Sequence, residues 1–140
     1  MEKEELFLQG INFNSAESVK QLNPLVMAFV GDCVHTLYIK TNVINLYSAK
    51  VNTLNKNTAK IINAKAQQQA LFKIMDRLTE GEIDIVKRAR NTNIHSKAKN
   101  FSIEEYRYAT AFEALIGYLY LSKQFNRLQE LLQIAGREEN

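Results

Sequence analysis

One largely uncharged stretch, residues 23–44, restricts the fold of this chain more than any other segment. Between residues 21 and 39 its only charged side chain is Asp32. Asn23 can cap a helix by accepting a hydrogen bond from a free N–H group, and Pro24 suits the first helical position, where no N–H group is needed. Because the apolar residues that follow cover nearly every face of a helix, the stretch is predicted to form a central helix of the fold.

Asp32 is unusual because it is predicted to lie in or beside the hydrophobic core. It is the only acid between residues 18 and 75, a segment that contains seven lysines. An ionised carboxylate buried without a partner is strongly unfavourable, so Asp32 must bind a cation, accept N–H donors or take up a proton. The neighbouring Gly31 disfavours a helix by about 1 kcal/mol relative to alanine, which indicates that another backbone packs closely against it. Asp32 and Gly31 are adjacent residues that both depart from the usual composition of a buried helix. This departure predicts a functional site at these positions.

A second long helix is predicted near the C-terminus, and its apolar part, between Tyr106 and Gln129, also carries a single acid. This acid is Glu113, four residues before Gly117. If the two helices pack together at their glycines, Asp32 and Glu113 meet, and adjacent carboxylates repel each other unless a cation lies between them. Oxygen ligands favour Mg²⁺ or Mn²⁺. The alternative is an ion pair, in which Lys65 or Arg107 binds one of the two acids.

The periodicity of the whole chain predicts an all-α fold without strands or repeats. Residues 1–14 lack a clear period and are predicted to be a mobile N-terminal segment, whereas residues 15–140 are predicted to form a single domain. Within this domain we expect a short helix at 15–22, the central helix at 23–44 and a short helix from residue 52 or 53. A longer helix that includes Ile61, Ile62 and Leu78 follows. Two further helices begin with the capping boxes Thr79–Glu82 and Ser102–Glu105, and a last helix is expected at 126–135.

Composition indicates a soluble protein of the cytoplasm. The sequence has one cysteine, Cys33, so no intramolecular disulfide is possible, and its apolar neighbours predict a core position. The first residues are acidic and lack the basic and then apolar pattern of a secretory signal. No uncharged apolar segment approaches the roughly 18 residues of a membrane-spanning helix, so we expect no contact with a membrane.

A basic segment at residues 87–99 contains five cations and no acid. Such a segment can follow a phosphate backbone, and binding of this kind weakens as salt increases. A solvated surface loop is the alternative, but the excess of lysines between residues 40 and 73 favours nucleic acid. The candidate contact residues are Lys87, Arg88, Arg90, Lys97 and Lys99.

Two motifs resemble those of the ribonuclease III family. AFVGDCV, at residues 28–34, resembles the family signature, in which apolar residues precede Gly-Asp. TAFEALIGYLYL, at residues 110–121, resembles the second motif, in which Glu precedes Ala-Leu-Ile-Gly. The resemblance extends over roughly residues 21–135. It implies the ribonuclease III endonuclease domain fold and a metal-dependent endonuclease that cuts double-stranded RNA as a homodimer.

The resemblance also implies roles for individual residues. Asp32 and Glu113 take the positions of catalytic, metal-binding acids, with Mg²⁺ or Mn²⁺ as the cofactor. The family has two further acids where this chain has Ala28 and Thr110, and Thr110 is expected to contact the metal through a water molecule. Phe29, at the aromatic position of the signature, is expected to insert into the other subunit at the dimer interface. The basic segment would bind the RNA duplex.

The two missing acids, and the lack of room after residue 121 for a double-stranded-RNA-binding domain, are similar to the Mini-ribonuclease III branch of this family. That resemblance implies hydrolysis of precursor large-subunit (23S) ribosomal RNA at its ends, a step of ribosome biogenesis. A ribosomal protein that presents the substrate is a further candidate partner. The alternative is a non-catalytic RNA-binding ribosome-assembly protein on the same fold, because half of the usual acids are absent.

Overall fold

The computed structural model describes residues 6–46, 50–92 and 100–137. Every regular element in these ranges is a helix, which confirms the predicted all-α fold. The elements are α1 Leu6–Gln9, α2 Ala16–Lys20, α3 Pro24–Leu46, α4 Val51–Ile61, α5 Ala64–Ile74 with a 3-10 turn at Met75–Arg77, α6 Glu80–Arg90, α7 Ile103–Leu121 and α8 Phe125–Ala135.

Local capping chemistry fixes where several of these helices begin. The Asn23 side chain accepts a hydrogen bond of 2.8 Å from the Leu25 N–H group, so α3 begins at Pro24 as predicted. Both predicted capping boxes are also present. Thr79 and Glu82 exchange hydrogen bonds at the start of α6, and Ser102 and Glu105 do so at the start of α7.

Helix α7 lies at the centre of the fold and packs chiefly against α3, α5 and α6. It is buried on most of its surface from Ala109 to Leu119. Burial of this much apolar surface is the main favourable contribution to folding, at about 25 cal/mol per Å². The largest fully buried side chains around it are Met27, Leu71, Ile74, Ile85, Phe112, Leu115 and Leu119.

Two glycines allow α3 and α7 to approach until their backbones touch. A Cβ atom on Gly31 would overlap the backbone carbonyl of Glu113 and lie 2.8 Å from the Gly117 amide nitrogen. A Cβ atom on Gly117 would in turn overlap the backbone carbonyl of Met27. The prediction that a second backbone packs against Gly31 is therefore confirmed.

The break between α4 and α5 differs from the prediction, which assigned Ile61 and Ile62 to the longer helix. Asn63 separates the two helices. Its side-chain oxygen accepts a hydrogen bond of 2.9 Å from Ala66 N–H and so caps α5, while its amide group donates to the carbonyls of Ala59 and Lys60 at the end of α4. One side chain thus satisfies free backbone groups of both helices. The predicted extension to Leu78 was also wrong, because α5 ends at Ile74 and a 3-10 turn follows.

Only one face of α3 is buried. Met27, Gly31 and His35 lie on the side that faces the core. Cys33, predicted to be a core residue, is exposed, and so is Asp32. Among residues 6–46, 50–92 and 100–137, no element covers the apolar residues on the opposite side of α3, so this helix is buried on one face although it is apolar nearly all round.

An ion pair that the sequence did not predict joins α6 to α8. Arg127 donates hydrogen bonds of 2.9 and 2.8 Å to the two carboxylate oxygens of Glu82, and it also contacts Glu130 and the Arg77 carbonyl. Burial opposes ionisation of Glu82, but the hydrogen bonds from Arg127 and Thr79 outweigh it and lower the pKa of this acid. Glu82 therefore stays charged while it is buried.

Phe13 connects the N-terminal segment to the body of the fold. The ring of Phe13 packs against Tyr120 and Phe125, with centroid distances of 5.4 and 6.2 Å, and Lys123 Nζ lies 5.1 Å from the Phe13 ring. The predicted mobility of residues 1–14 stays a prediction, and residues 1–5 lie outside the described part of the chain. None of the described helices is long and apolar enough to cross a membrane.

The glycine contact predicts a sharp difference between three alanine substitutions. Gly31→Ala and Gly117→Ala force two backbones apart, and we expect each to lower the free energy of unfolding by about 3 kcal/mol or more. Gly81→Ala is the matched control, because a Cβ atom there meets nothing within 4 Å. It should be neutral or stabilising by up to about 1 kcal/mol, since alanine favours a helix over glycine. Urea unfolding followed by circular dichroism measures the free energy of unfolding of all three variants. Equal effects would contradict the close backbone contact at Gly31 and Gly117.

Candidate active site

The α3–α7 contact brings the two predicted acids together. Asp32 follows Gly31 on α3, and Glu113 is the residue of α7 whose backbone carbonyl faces Gly31. Asp32 raises the pKa of Glu113 through its charge and through a side-chain interaction, so the two carboxyl groups lie close together. Asp32 is exposed to solvent, whereas Glu113 is half-buried. The geometric part of the prediction is thus observed: each helix contributes one carboxylate to the same place. Neither Lys65 nor Arg107 forms an ion pair with Asp32 or Glu113 among the described contacts.

The environment of Glu113 strongly favours its protonated form. Burial, the hydrogen bond to Asp32 and the charge of Asp32 together raise the pKa of Glu113 to about 8, although a hydrogen bond from Gln67 acts in the opposite direction. In the unfolded chain this acid would lose its proton near its usual pKa of 4.5. Without a cation, the folded state therefore holds a proton that the unfolded state has released, and stability decreases as the pH rises from about 4.5 to about 8.

A buried polar pair lies behind Glu113. Gln67 on α5 and His35 on α3 are 5% and 4% exposed, and Gln67 Nε2 lies 3.2 Å from His35 Nδ1. The His35 ring packs edge-on against Phe112, with centroids 5.1 Å apart. Burial lowers the pKa of His35 to about 4, against the opposing charge of Asp32, so the imidazole is neutral near pH 7. The sequence analysis gave no role to this pair.

A helical pattern in α5 could have identified Gln67. Ala64, Leu71 and Ile74 are three residues before, four after and seven after it, and all three are buried. A polar side chain at a core position of an amphipathic helix must find a hydrogen-bond partner. Gln68 and Gln69 do not share this helical register with the buried residues of α5. The composition of the helix alone therefore does not show that Gln67 is its buried glutamine.

The donor set is suited to a hard divalent cation that keeps much of its water. Mg²⁺ is usually held by one or two carboxylates together with water molecules and substrate phosphates. Asp32 and Glu113 provide two carboxylates whose mutual repulsion a cation would relieve. The described residues contain no group of three or more acids, histidines and cysteines arranged for a metal. A two-carboxylate site is therefore compatible with Mg²⁺ and not with zinc, which needs more nitrogen or sulfur ligands.

The positions at which the family has further acids lie beside the pair. Thr110 is half-buried and precedes Glu113 by three residues on α7, so the two side chains share a helix face. Ala28 precedes Asp32 by one turn of α3 and is 7% exposed. The methyl group of Ala28 cannot bind a cation, and the Thr110 hydroxyl is a neutral ligand at most. The charge of the site consequently comes from Asp32 and Glu113.

The predicted RNA-contact residues have different environments. Lys87 is exposed on α6. The guanidinium group of Arg88 instead donates hydrogen bonds of 2.8 and 3.2 Å to the carbonyls of Lys20 and Leu22, beyond the C-terminus of α2. Arg90 is half-buried and donates to the Asn91 side chain. The remaining two, Lys97 and Lys99, lie outside the described residues.

An apolar stripe runs along the face of α3 opposite the core. Phe29, the predicted dimer-interface residue, is 75% exposed, which is a large apolar surface for one side chain in water. Successive members are three, four or seven residues apart, as expected for one side of a helix. The exposed residues of this α3 stripe are Val26, Phe29, Cys33, Leu37 and Ile44.

Comparison with known proteins identifies the family. Residues 25–124 match the model of the ribonuclease III domain. The Mini-ribonuclease 3 of Thermoanaerobacter sp. (strain X514) is 44% identical over 129 residues, which cover 92% of this chain and 91% of that protein. The Mini-ribonuclease 3 of Staphylococcus aureus is 42% identical over 116 residues, 81% of this chain and 87% of that protein.

A solved structure shares this fold. A crystal structure of a protein from Fusobacterium nucleatum superposes with a TM-score of 0.78 at 32% sequence identity, over 84% of this chain and 96% of that one. The match to the ribonuclease III domain includes both acids, the two glycines and the Gln67–His35 pair. The chain therefore belongs to the ribonuclease III family, and within it to the Mini-ribonuclease 3 proteins.

Proposed function

We propose that this protein hydrolyses double-stranded RNA with Mg²⁺, or Mn²⁺ in its place, at a site built on Asp32 and Glu113. Membership of the ribonuclease III family makes it an endoribonuclease of double-stranded RNA, in a family that generally depends on divalent metals. The observation that carries the proposal is the meeting of these two acids at the α3–α7 contact. A protein that only bound RNA would gain nothing from a half-buried carboxylate pair that destabilises the fold above pH 4.5.

Each acid has a distinct part in this chemistry. Glu113 must lose its proton before the pair can hold a doubly charged cation, so cation binding would release a proton. Asp32 and Glu113 would hold a divalent ion that could supply an activated water as the nucleophile and neutralise charge that develops on the phosphate. Thr110, beside Glu113, is placed to orient a water molecule with its hydroxyl group. Because only two ligands are anionic, we expect weaker metal binding than a four-acid site would give.

The RNA-binding surface in this proposal begins at the end of α6. A-form RNA is recognised mostly by shape, through phosphates and 2′-hydroxyls across the wide minor groove. Lys87 is exposed and suited to a phosphate contact, whereas the hydrogen bonds of Arg88 make its main role structural. Arg90, Lys97 and Lys99 complete the proposed contact set. The hydrogen bonds of Arg88 therefore shift the proposed RNA contacts toward the other cations of the basic segment. The segment as a whole is still proposed to bind RNA.

The α3 stripe supports a homodimer, and ribonuclease III enzymes usually act as dimers. Exposed apolar side chains spaced along one face of a helix are typical of an interface that a second copy covers. In this arrangement Phe29 inserts into the partner subunit. Two active sites related by a two-fold axis then act on the two strands of one duplex.

Maturation of precursor 23S ribosomal RNA in the cytoplasm is the proposed biological role. Its support is the likeness to Mini-ribonuclease 3 proteins, together with the lack of a membrane-spanning helix among the described residues. A ribosomal protein that presents this RNA is part of the same proposal. A non-catalytic role in ribosome assembly would require the purified protein to bind a duplex without cutting it.

The first prediction concerns the two acids. Asp32→Asn and Glu113→Gln should each lower the rate of duplex cleavage by about 100-fold or more, because each removes half of the anionic charge of the site. Both variants should remain folded, and Glu113→Gln should be at least as stable as the wild type at pH 8, since it removes the repulsion. Labelled duplexes, including a stem of precursor 23S RNA, are incubated with Mg²⁺ and with chelator. Asp76→Asn, an exposed acid on the 3-10 turn, is the control. Full activity of Asp32→Asn would refute the site.

The second prediction separates the two kinds of basic residue on α6. Lys87→Glu should weaken duplex binding and reduce the slope of log affinity against log salt by about 1, without changing thermal stability. Arg88→Ala should lower the melting temperature, because two carbonyls lose their donors. Arg137→Glu, an exposed cation after α8, is the control for net charge. Fluorescence anisotropy at several salt concentrations measures binding, and an unchanged slope for Lys87→Glu would contradict its role.

The third prediction concerns the α3 stripe. Phe29→Asp should convert a dimer into a monomer, because a charge in an apolar interface is strongly unfavourable. Val51→Asp is the control, since Val51 is 69% exposed at the start of α4 and outside the stripe. Molar mass is measured by light scattering. The alkylation rate of Cys33, the sole cysteine, should rise at the same time, because the stripe becomes accessible. A Phe29→Asp variant that stays dimeric while Cys33 is readily alkylated would show that α3 is not the interface.

A further inference from the structure

Gln67 and His35 form a polar pair where apolar side chains would pack more simply. Both are nearly fully buried, and the residues that share their helix faces are apolar or glycine. Replacement of both members of a buried hydrogen bond by apolar groups of similar shape is nearly neutral for stability. A pair of leucines would therefore fill this space without any requirement for hydrogen bonds. The stability of the fold does not explain why the pair is polar.

The hydrogen bonds of Gln67 determine which way its amide group faces. Gln67 interacts with His35 Nδ1 at 3.2 Å and with the side chain of Glu113. When Glu113 is ionised, as cation binding requires, its carboxylate only accepts hydrogen bonds, and only the amide nitrogen of glutamine donates them. The nitrogen, with its two hydrogen atoms, must therefore face both partners. If the amide were reversed, its oxygen would face a carboxylate and repel it.

His35 is held in the form that suits this arrangement. Its burial keeps the imidazole neutral, and the edge-on contact with Phe112 restricts the ring. A neutral imidazole that accepts at Nδ1 carries its proton on Nε2. With that tautomer, His35 accepts from Gln67 and favours the amide orientation that offers a donor to Glu113.

Glu113 thus lies between two side chains with opposite effects on its pKa, which Asp32 raises and Gln67 lowers. Asp32 contacts it through a carboxyl group, and Gln67 contacts it through an N–H donor. A glutamate side chain has three rotatable bonds, so a donor on one side limits the orientations of the carboxylate toward Asp32. Partners of this kind, which contact a ligand rather than the metal, commonly change metal affinity by 10- to 100-fold when they are removed.

From this arrangement we propose that Gln67 is a positioning residue that orients the Glu113 carboxylate for metal binding, and that His35 acts only through Gln67 by setting the direction of its amide. The proposal rests on the proposed function, because it assigns a metal to Asp32 and Glu113. It adds two residues to that site, neither of which touches the metal or the RNA.

A double-mutant cycle on metal binding tests both parts. The variants are Gln67→Leu, His35→Leu and the double substitution, with Gln69→Leu, an exposed glutamine two residues further along α5, as the control. Binding of Mn²⁺ is measured by electron paramagnetic resonance at pH 8.5, and thermal unfolding is measured in parallel. The leucine variants keep the core apolar, and the double variant leaves no unpaired buried group, so it should unfold near the wild-type temperature.

We expect Gln67→Leu to weaken Mn²⁺ binding by about 10- to 100-fold. His35→Leu should weaken it less, because the amide of Gln67 can still donate in one of its two orientations. The double variant should bind like Gln67→Leu, since His35 has no effect once the amide is gone. At saturating metal, KM for duplex RNA should stay at the wild-type value in all variants, because neither residue contacts RNA.

Two results would overturn the inference while the proposed function stands. One is a wild-type protein that binds Mn²⁺ while Gln67→Leu binds it within twofold of the wild type. The other is a His35→Leu effect that persists unchanged in the Gln67→Leu background, which refutes the dependence of His35 on Gln67. A wild-type protein that binds no Mn²⁺ would overturn the proposed function, and this inference with it.

Discussion

The contact between the α3 and α7 backbones at Gly31 and Gly117 is the constraint on which the rest of the structure depends. Each glycine occupies a place where any Cβ atom would collide with a carbonyl of the facing helix. Helices that approach this closely bring short side chains near the contact within reach of each other. Asp32 has one methylene group, and it interacts with Glu113 because the helix axes are close. The two carboxylates therefore meet because Gly31 and Gly117 have no side chains that would hold the helices apart.

The same contact explains the electrostatic properties of the site. Glu113 is half-buried and faces an exposed acid, so it keeps its proton until about pH 8 when no cation is present. A cation bound at the proposed site would take over the role of that proton, and its binding would couple to pH, because the proton must leave first. A site with two carboxylates carries less negative charge when it is empty than a site with four, so it destabilises the fold less. Its metal affinity depends more on the orientation of each ligand.

The sequence predicted the features that are set locally or by a strong pattern. Helix caps at Asn23, Thr79 and Ser102 depend on neighbouring residues, and all three are observed. The carboxylate pair was predictable because a lone acid within about one turn of a glycine in an apolar helix is rare, and it occurs twice, at Asp32 and at Glu113. Features that depend on residues distant in the chain were not predicted. They include the Glu82–Arg127 ion pair, the carbonyl contacts of Arg88 and the Gln67–His35 pair, whose members are 45, 66 to 68 and 32 residues apart.

Helix α3 also shows why an apolar composition does not determine burial. At 3.6 residues per turn, Met27, Gly31 and His35 point to one side, and Phe29, Cys33 and Leu37 point to the other. Asp32 lies between these two faces, at the border of the core and the α3 stripe. One helix thus positions Asp32 relative to α7 on one face, and in the proposed dimer it would position the same residue relative to the second subunit on the other. In a dimer formed through the stripe, the spacing of the two active sites would be fixed by the same helix that fixes the carboxylate pair, so a shift of α3 would change both together.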